Sequence, residues 1–439
     1  MGRPPLTRTL DVCLNGRLVG HYRSGPAGGI SFSYARPWLD WDNAFAISRQ
    51  LPLMDGAQSG VAVSAVFENL LPDNDDIRRR IAERTDARSD RPHDLLAAIG
   101  RDCVGALQFL PHGEEPGDPF RIEGVVQSEA EIAETLRNLS MAPLGIAPGR
   151  PFRISLAGAQ EKTAYLRQNG QWLQPVGMTP TTHIFKRPLG LINDHLDLTD
   201  SVENEWLCLA LARAIGLPTA EAEIARFEDE IALVVTRFDR RPRPRGGLLR
   251  LPQEDFLQAM GLPSGQKYQQ YGGPSMLACL DLLSGSRDRF LDQKTFLKAQ
   301  IFFWMIAAID GHAKNYSIFI EPDGYRMTPL YDILSVAPAP LRNQFRNREI
   351  QLAMSVGRRN HYRLDQIVPR HFDQTAELAR VPVPVRKAAF EELAREGASA
   401  FDRVEATLPS GFPARISESI LDYGRDRLRL VESFAATLQ

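Results

Sequence analysis

Asp310-Gly311-His312-Ala313-Lys314-Asn315 places a carboxylate and a carboxamide at the two ends of one short segment, and a second carboxylate, Asp332, follows Tyr331 a little further on. Phosphoryl transfer needs a group to orient the attacking hydroxyl, oxygen donors for magnesium and a cation against the phosphates, because it is accelerated mainly by positioning and charge stabilisation. In such a site Asp310 would orient the nucleophile or accept its proton, and Asn315 and Asp332 would bind the metal. The short motif alone suits a solvated turn better, so its surroundings decide. It follows an apolar run, Ile301 to Ile309, and precedes a predicted hairpin, Ser317 to Leu330, that turns on Asp323-Gly324 and delivers Asp332.

Lys186 ends the alternating stretch Thr182 to Lys186, where a strand lysine would reach nucleotide phosphates; from the strand alone, a surface lysine reads as well. Glu205, with Glu203 and Asn204, opens the next predicted helix. A carboxylate there could pair with Lys186, although an acidic first turn also suits a helix dipole. Ser155 to Lys162 is small, contains glycine and lies between predicted strands, as a loop covering phosphates should. The arginine-rich stretch Arg240 to Arg250 could meet acidic or phosphate groups, but reads first as a solvated loop. The sequence lacks a G-x-x-x-x-G-K-[ST] loop, a G-x-G-x-x-G fingerprint, a G-x-S-x-G elbow and an H-E-x-x-H helix, which removes several competing chemistries.

The elements that must hold these residues fall into an order. Asn15-Gly16 predicts a hairpin over Leu10 to His21. Helices are predicted after Pro72-Asp73-Asn74-Asp75 and after Asp90 to Asp94, so residues 1–112 form a small mixed subdomain. Residues 113–150 read as a connector with one helix over Ser128 to Leu139. Residues 151–245 are strand-rich, with strands at Thr163 to Leu166, Thr182 to Lys186 and Glu223 to Asp239 and a helix from Ser201 to Ile215 that stops at Gly216-Leu217-Pro218. Residues 246–439 are mainly helical. A β-rich region before an α-rich one is the layout of a two-lobed kinase.

Composition adds exclusions. With 439 residues, 24% charged and a formal net charge of -2, the chain is an ordinary globular protein with no overall basic field for nucleic acid. Its four cysteines, Cys13, Cys103, Cys208 and Cys279, are far apart and lack metal-ligand spacing. They read as small buried residues. No apolar run reaches membrane-spanning length and no signal peptide is evident, so the chain reads as cytoplasmic, without a membrane partner.

Phe67 to Asp73, Ile99 to Asp102, Arg153 to Thr163, Leu251 to Asp255 and Asp310 to Asn315, in this order, resemble the HipA family of bacterial serine/threonine kinase toxins of type II toxin-antitoxin modules. The resemblance runs over nearly the whole chain. It implies an α+β, two-lobed protein-kinase-like (PI3/4-kinase-like) fold with a small mixed α/β N-terminal subdomain and an all-helical C-terminal lobe. It implies ATP and Mg2+ as cofactors, a non-specific serine/threonine protein kinase activity, Asp310 as the catalytic residue, and Asn315 and Asp332 as metal and phosphate ligands. Lys186 would hold the nucleotide phosphates. The loop of Ala157, Gly158, Ala159, Gln160, Glu161 and Lys162 would cover them. Thr236, Arg237 and Phe238 would form the adenine hinge, and His312, Ala313, Lys314 and Asn315 with Tyr331 would complete the pocket.

The same resemblance makes Ser155 an autophosphorylation site whose modification ejects the phosphate loop and silences the kinase. The added negative charge beside a site for ATP phosphates accounts for that. Family members phosphorylate an aminoacyl-tRNA synthetase, best known glutamyl-tRNA synthetase, which inhibits translation and leads to growth arrest and persistence. A small HipB-type helix-turn-helix antitoxin neutralises them and represses the operon. The family's DNA-touching helix positions fall on Glu377 to Arg380, where only Arg380 is positive and Glu377 would repel phosphate, so operator DNA is expected mainly through the antitoxin. Two other readings stay open from the residues: a lipid or small-molecule kinase, and a catalytically silent co-repressor scaffold.

Overall fold

The computed structural model describes residues 7–85, 87–146, 154–158, 160–193, 196–339 and 350–438. The chain divides into two compact units, the first formed by Met1–Arg187, Ala225–Gly265 and Ile318–Asp323, the second by Pro188–Ile224, Gln266–Ser317 and Gly324–Gln439.

The first unit opens with the strands Arg8–Leu14 and Arg17–Ser24. They join through Asn15 and Gly16, whose φ values of 48° and 81° are the left-handed pair such a tight turn needs. With Ile30–Tyr34, Gln58–Ser59 and Leu107–Pro111 they form a five-stranded antiparallel sheet. Tyr22 and Phe109 from its strands meet Phe67 of the helix Val61–Glu68, at ring-centroid distances of 4.2 and 5.8 Å from Phe67. The helix Asp75–Arg84 begins where Asn74 accepts hydrogen bonds from the Asp76 and Ile77 amides, an N-cap that satisfies two otherwise orphaned donors.

A six-stranded sheet follows, in the order Ala222–Phe227, Glu230–Thr236, His183–Lys186, Lys162–Gln168, Gln171–Pro175, Gly124–Gln127. The helix Glu129–Arg137, started by a Ser128/Glu131 capping box, buries Ile132, Ala133 and Leu136 against Tyr165, Phe185 and Val234 of the sheet. Residues expected to be a connector thus supply an edge strand and a core helix. Each large apolar side chain so buried contributes about 1.5–3 kcal/mol, which fixes the sheet that carries Lys162 and Lys186.

The second unit is built mainly from the helices Ser201–Ala214, Met276–Ser284, Arg289–Met305, Pro369–Leu378, Val383–Ala406 and Ala414–Thr437. The last two cross at glycines. A Cβ on Gly397 would lie 2.5 Å from Leu428, and one on Gly424 would lie 2.3 Å from Phe401, so only glycine permits the approach. Within this mainly helical region the short strands Gln351–Val356 and His361–Arg363 form a pair that the sequence did not announce. All four cysteines are buried and free, as expected. Among the described residues no helix is long and apolar enough to cross a membrane.

Candidate phosphoryl-transfer site

In the second unit the chain leaves the helix Arg289–Met305 abruptly. Ala307 takes a φ of 53° and the Ala308 amide bonds back to the Phe303 carbonyl at 2.8 Å. A left-handed alanine costs roughly 1–2 kcal/mol over a glycine, a strain the surrounding packing sustains. Its carbonyl accepts from the Val336 amide at 3.0 Å, tying the helix end to the segment that carries Asp332.

Asp310 comes next, with its side chain 55% exposed. One carboxylate oxygen accepts from the Tyr268 hydroxyl at 2.6 Å, and the other lies 3.8 Å from the buried His312 Nε2. Tyr268 and His312 meet edge to face at 4.9 Å between ring centroids. The loop closes on itself. Asn315 Nδ2 donates to the Asp310 carbonyl at 2.7 Å, and the Asn315 amide donates to the His312 carbonyl at 2.9 Å. With the amide nitrogen committed, the side-chain oxygen is the atom Asn315 can offer a cation. Gly311 has no substitute, because a Cβ there would sit 2.7 Å from Phe303 and 3.0 Å from the Tyr316 hydroxyl. Ala313, Lys314 and Asn315 form one buried 3-10 turn.

Tyr331 braces that turn, since its hydroxyl donates to the Lys314 carbonyl at 3.0 Å and lies 2.6 Å from Ser317 Oγ. Asp332 then adopts a φ of 60°, a conformation that aspartate tolerates better than most side chains and that clusters at functional sites. The backbone after it is clamped by Asn204, which accepts from the Ser335 amide at 2.9 Å and donates to its carbonyl at 2.8 Å. Glu205, beside Asn204, is buried in the second turn of Ser201–Ala214 rather than in its first. The Asp332 carboxylate and the Asn315 amide oxygen are hard oxygen donors of the kind magnesium takes.

In the first unit, Lys162 and Lys186 occupy directly opposed positions of the antiparallel ladder and are both buried. Lys162 Nζ donates to the Ala157 carbonyl at 2.8 Å, folding residues 157–162 into a closed loop over the strand end. Gly158 has a φ of 98°, and a Cβ on it would lie 2.6 Å from that ammonium, so the loop requires glycine here. Gln160 Nε2 anchors the loop to the Arg187 carbonyl at 3.0 Å, and Glu161 lines the same pocket wall as Gly158 and Lys162. Ala159 lies outside the described residues. Ser155 is fully buried, donating from Oγ to the Leu70 carbonyl at 2.7 Å and from its amide to the Asp102 carbonyl at 3.0 Å.

Thr236 pairs with His183 in the ladder, and Phe238 meets Phe319 edge-on at 5.9 Å. The Arg237 side chain turns into a buried ion network, which leaves only its backbone for the expected hinge. It reaches Asp239 at 2.8 and 3.0 Å and the Thr181 hydroxyl at 2.9 Å. Arg240 and Arg250 join it on Asp102 at 2.8 and 3.2 Å, which corrects the reading of Arg240 to Arg250 as solvated at both ends. Burial alone would raise the Asp102 carboxyl, but Arg240, Arg237 and Arg250 hold it well below the usual carboxylate range. Burial pushes the Arg250 guanidinium down to about 10, with Asp102 opposing. In the sequence Asp102 stands out only as the end of Ile99 to Asp102, which carries no sign of a buried ion network. Tyr268 and Asn204 carried no comparable mark.

Strand-borne lysines in one unit and an aspartate-to-asparagine loop in the other define a protein-kinase-like fold. Residues 10–110 match the model of the HipA N-terminal domain, and residues 154–404 that of the HipA-like C-terminal domain. The chain belongs to the HipA family. A putative kinase of Sinorhizobium fredii is 33% identical over 401 residues, 90% of this chain and 92% of its own. The serine/threonine-protein kinase toxin HipA of Shewanella oneidensis is 29% identical over 367 residues, 80% of this chain and 79% of its own. The solved structure of Shewanella oneidensis HipA with HipB and operator DNA matches with a TM-score of 0.79 at 26% identity, covering 98% of this chain and 99% of that one.

Proposed function

We propose that this protein is an ATP- and Mg2+-dependent serine/threonine protein kinase acting as the toxin of a toxin-antitoxin module. The observation that carries the reading is the self-closed loop in which Asn315 Nδ2 bonds the Asp310 carbonyl while Tyr268 fixes the Asp310 carboxylate. Asp310 would orient the acceptor hydroxyl and take up its proton as the oxygen bonds the γ-phosphorus and the bond from that phosphorus to the departing ADP breaks. Lys186 and Lys162 would neutralise the triphosphate, and Asn315 and Asp332 would hold magnesium, whose chemistry is to offset charge on the transferring phosphoryl group. Glu205 would serve as the carboxylate pairing with Lys186. Backbone groups of Thr236 to Phe238 would face adenine.

The acceptor is proposed to be an aminoacyl-tRNA synthetase, glutamyl-tRNA synthetase first among them, with a HipB-type antitoxin as the partner that links the chain to operator DNA. Leu378 is exposed near the end of Pro369–Leu378 and Glu377 pairs with Arg358 at 2.6 Å, an arrangement poorly suited to phosphate contact. Self-modification at Ser155 requires the segment to leave its buried seat on Leu70, so a phosphorylated Ser155 could not return to the same contact. Incubating the protein with ATP, Mg2+ and a panel of purified synthetases tests the substrate. Phosphate on one synthetase is expected, together with slow labelling of Ser155. Labelling of lipids or metabolites in place of any protein would overturn the reading.

A further inference from the structure

A group of side chains in the N-terminal sheet has no part in the reading above. Asp11 and His21 are register partners on the strands Arg8–Leu14 and Arg17–Ser24, so both side chains leave the same face. On the other side of Arg8–Leu14, Asp11 pairs with Leu110, and His112 follows directly after that strand ends at Pro111. His21 Nδ1 lies 2.7 Å and His112 Nδ1 2.8 Å from the same oxygen of Asp11. The second oxygen accepts from the Gly113 amide at 2.8 Å, which aims the carboxylate at the two imidazoles. Asp11 is buried, and among the described residues no lysine or arginine pairs with it. A buried carboxylate without a permanent cation is a costly arrangement unless a cation is supplied.

We propose that Asp11, His21 and His112 form a binding site for a divalent transition metal ion, Zn2+ foremost. The three ligand atoms already lie within 4.8 Å of one another. Tetrahedral zinc with bonds near 2.0–2.1 Å separates its ligand atoms by roughly 3.3 Å, so the imidazoles need retreat by only about half an ångström. His112, whose side chain is 62% exposed, has room to do so, and it leaves an open side for water as the remaining ligand. The Nδ1 atom of each imidazole faces the carboxylate, and the tautomer that carries its proton on Nε2 offers the Nδ1 lone pair to the ion. Two imidazoles and one carboxylate select Zn2+, Co2+ or Ni2+ over Mg2+, which prefers an all-oxygen shell.

The test uses the untagged full-length protein, stripped of metal and held in saturating MgCl2 so that oxygen-rich sites are occupied. Co2+ is titrated and its visible absorption followed, with Zn2+ as competitor. One equivalent of Co2+ is expected to bind, to be displaced by Zn2+, and to bind at least tenfold more weakly in His112→Gln and in His21→Gln. His361→Gln, at the separate stacked pair of His361 and His371, should bind like the parent. Absence of a Co2+ spectrum in the parent, or an unchanged spectrum in the folded His21→Gln/His112→Gln double variant, would overturn the proposal.

Discussion

Lys162 and Lys186 stand opposite one another across the strands Lys162–Gln168 and His183–Lys186, with relative exposures of only 6% and 7%. Two lysines brought together at one strand end suit a polyphosphate, the ligand that the proposed function places there. Lys162→Met and Lys186→Met should therefore each remove most of the thermal stabilisation given by ATP and Mg2+. Scanning calorimetry with and without nucleotide checks this, and an ATP-induced shift equal to the parent's in both variants would count against it.

Tyr268 holds one oxygen of Asp310 at 2.6 Å and packs on His312, so under the proposed function it would position the general base. A hydrogen bond to a charged group contributes about 1.5–3 kcal/mol when shielded, and the exposure of Asp310 reduces this. Tyr268→Phe should lower kcat by about tenfold and leave KM for ATP nearly unchanged. Steady-state kinetics decide; a rise in KM at constant kcat would assign Tyr268 to nucleotide binding.

Asp332, the proposed metal ligand, has a φ of 60°. Asn keeps the left-handed tolerance and loses the charge, whereas Ala loses both. Asp332→Asn should melt within a few degrees of the parent, Asp332→Ala should be less stable by about 1 kcal/mol, and both should lose activity by on the order of a hundredfold or more. Equal stability of the two variants would show that the backbone is not strained there.

Glu254 gives the fold a pH dependence. Burial raises its carboxyl from 4.5 to about 7, against the lowering effect of its hydrogen bonds, which include the Arg49 amide at 3.0 Å. Between those values the folded chain keeps a proton that the unfolded chain has released, so stability falls as pH rises through the window, by at most about 3 kcal/mol. Urea unfolding at pH 5 and pH 8 should show this loss, and Glu254→Gln should shrink it. An undiminished difference in the variant would place its origin elsewhere.

What could be read from the sequence was local. Asn15-Gly16 specifies its turn by backbone preference, Gly216-Leu217-Pro218 ends its helix, and Asp323-Gly324 separates the strands Ser317–Glu321 and Gly324–Met327. The Asp310 to Asn315 loop was legible because both of its key residues lie in one short segment, which the Asn315 bond to the Asp310 carbonyl closes. What escaped was set by distant partners. Arg240 and Arg250 look like solvated charges until Asp102, far away in sequence, draws them inside with Arg237. Asn204 looked like part of an acidic helix start, yet its role is to clamp Ser335, and Tyr268 earns its place only through the fold that brings it to Asp310. The strand Gly124–Gln127 is mostly exposed and follows a proline-rich run, so nothing in its pattern announced the sheet it joins.

The most direct measurement is transfer of the labelled γ-phosphate of ATP to protein, with Mg2+, by the parent and by Asp310→Asn. The account predicts protein-bound phosphate with the parent, Ser155 among the labelled sites, and a loss of at least a hundredfold in Asp310→Asn, whose fold should be intact. Equal labelling by the two proteins, or none by the parent in the presence of bound ATP, would contradict it.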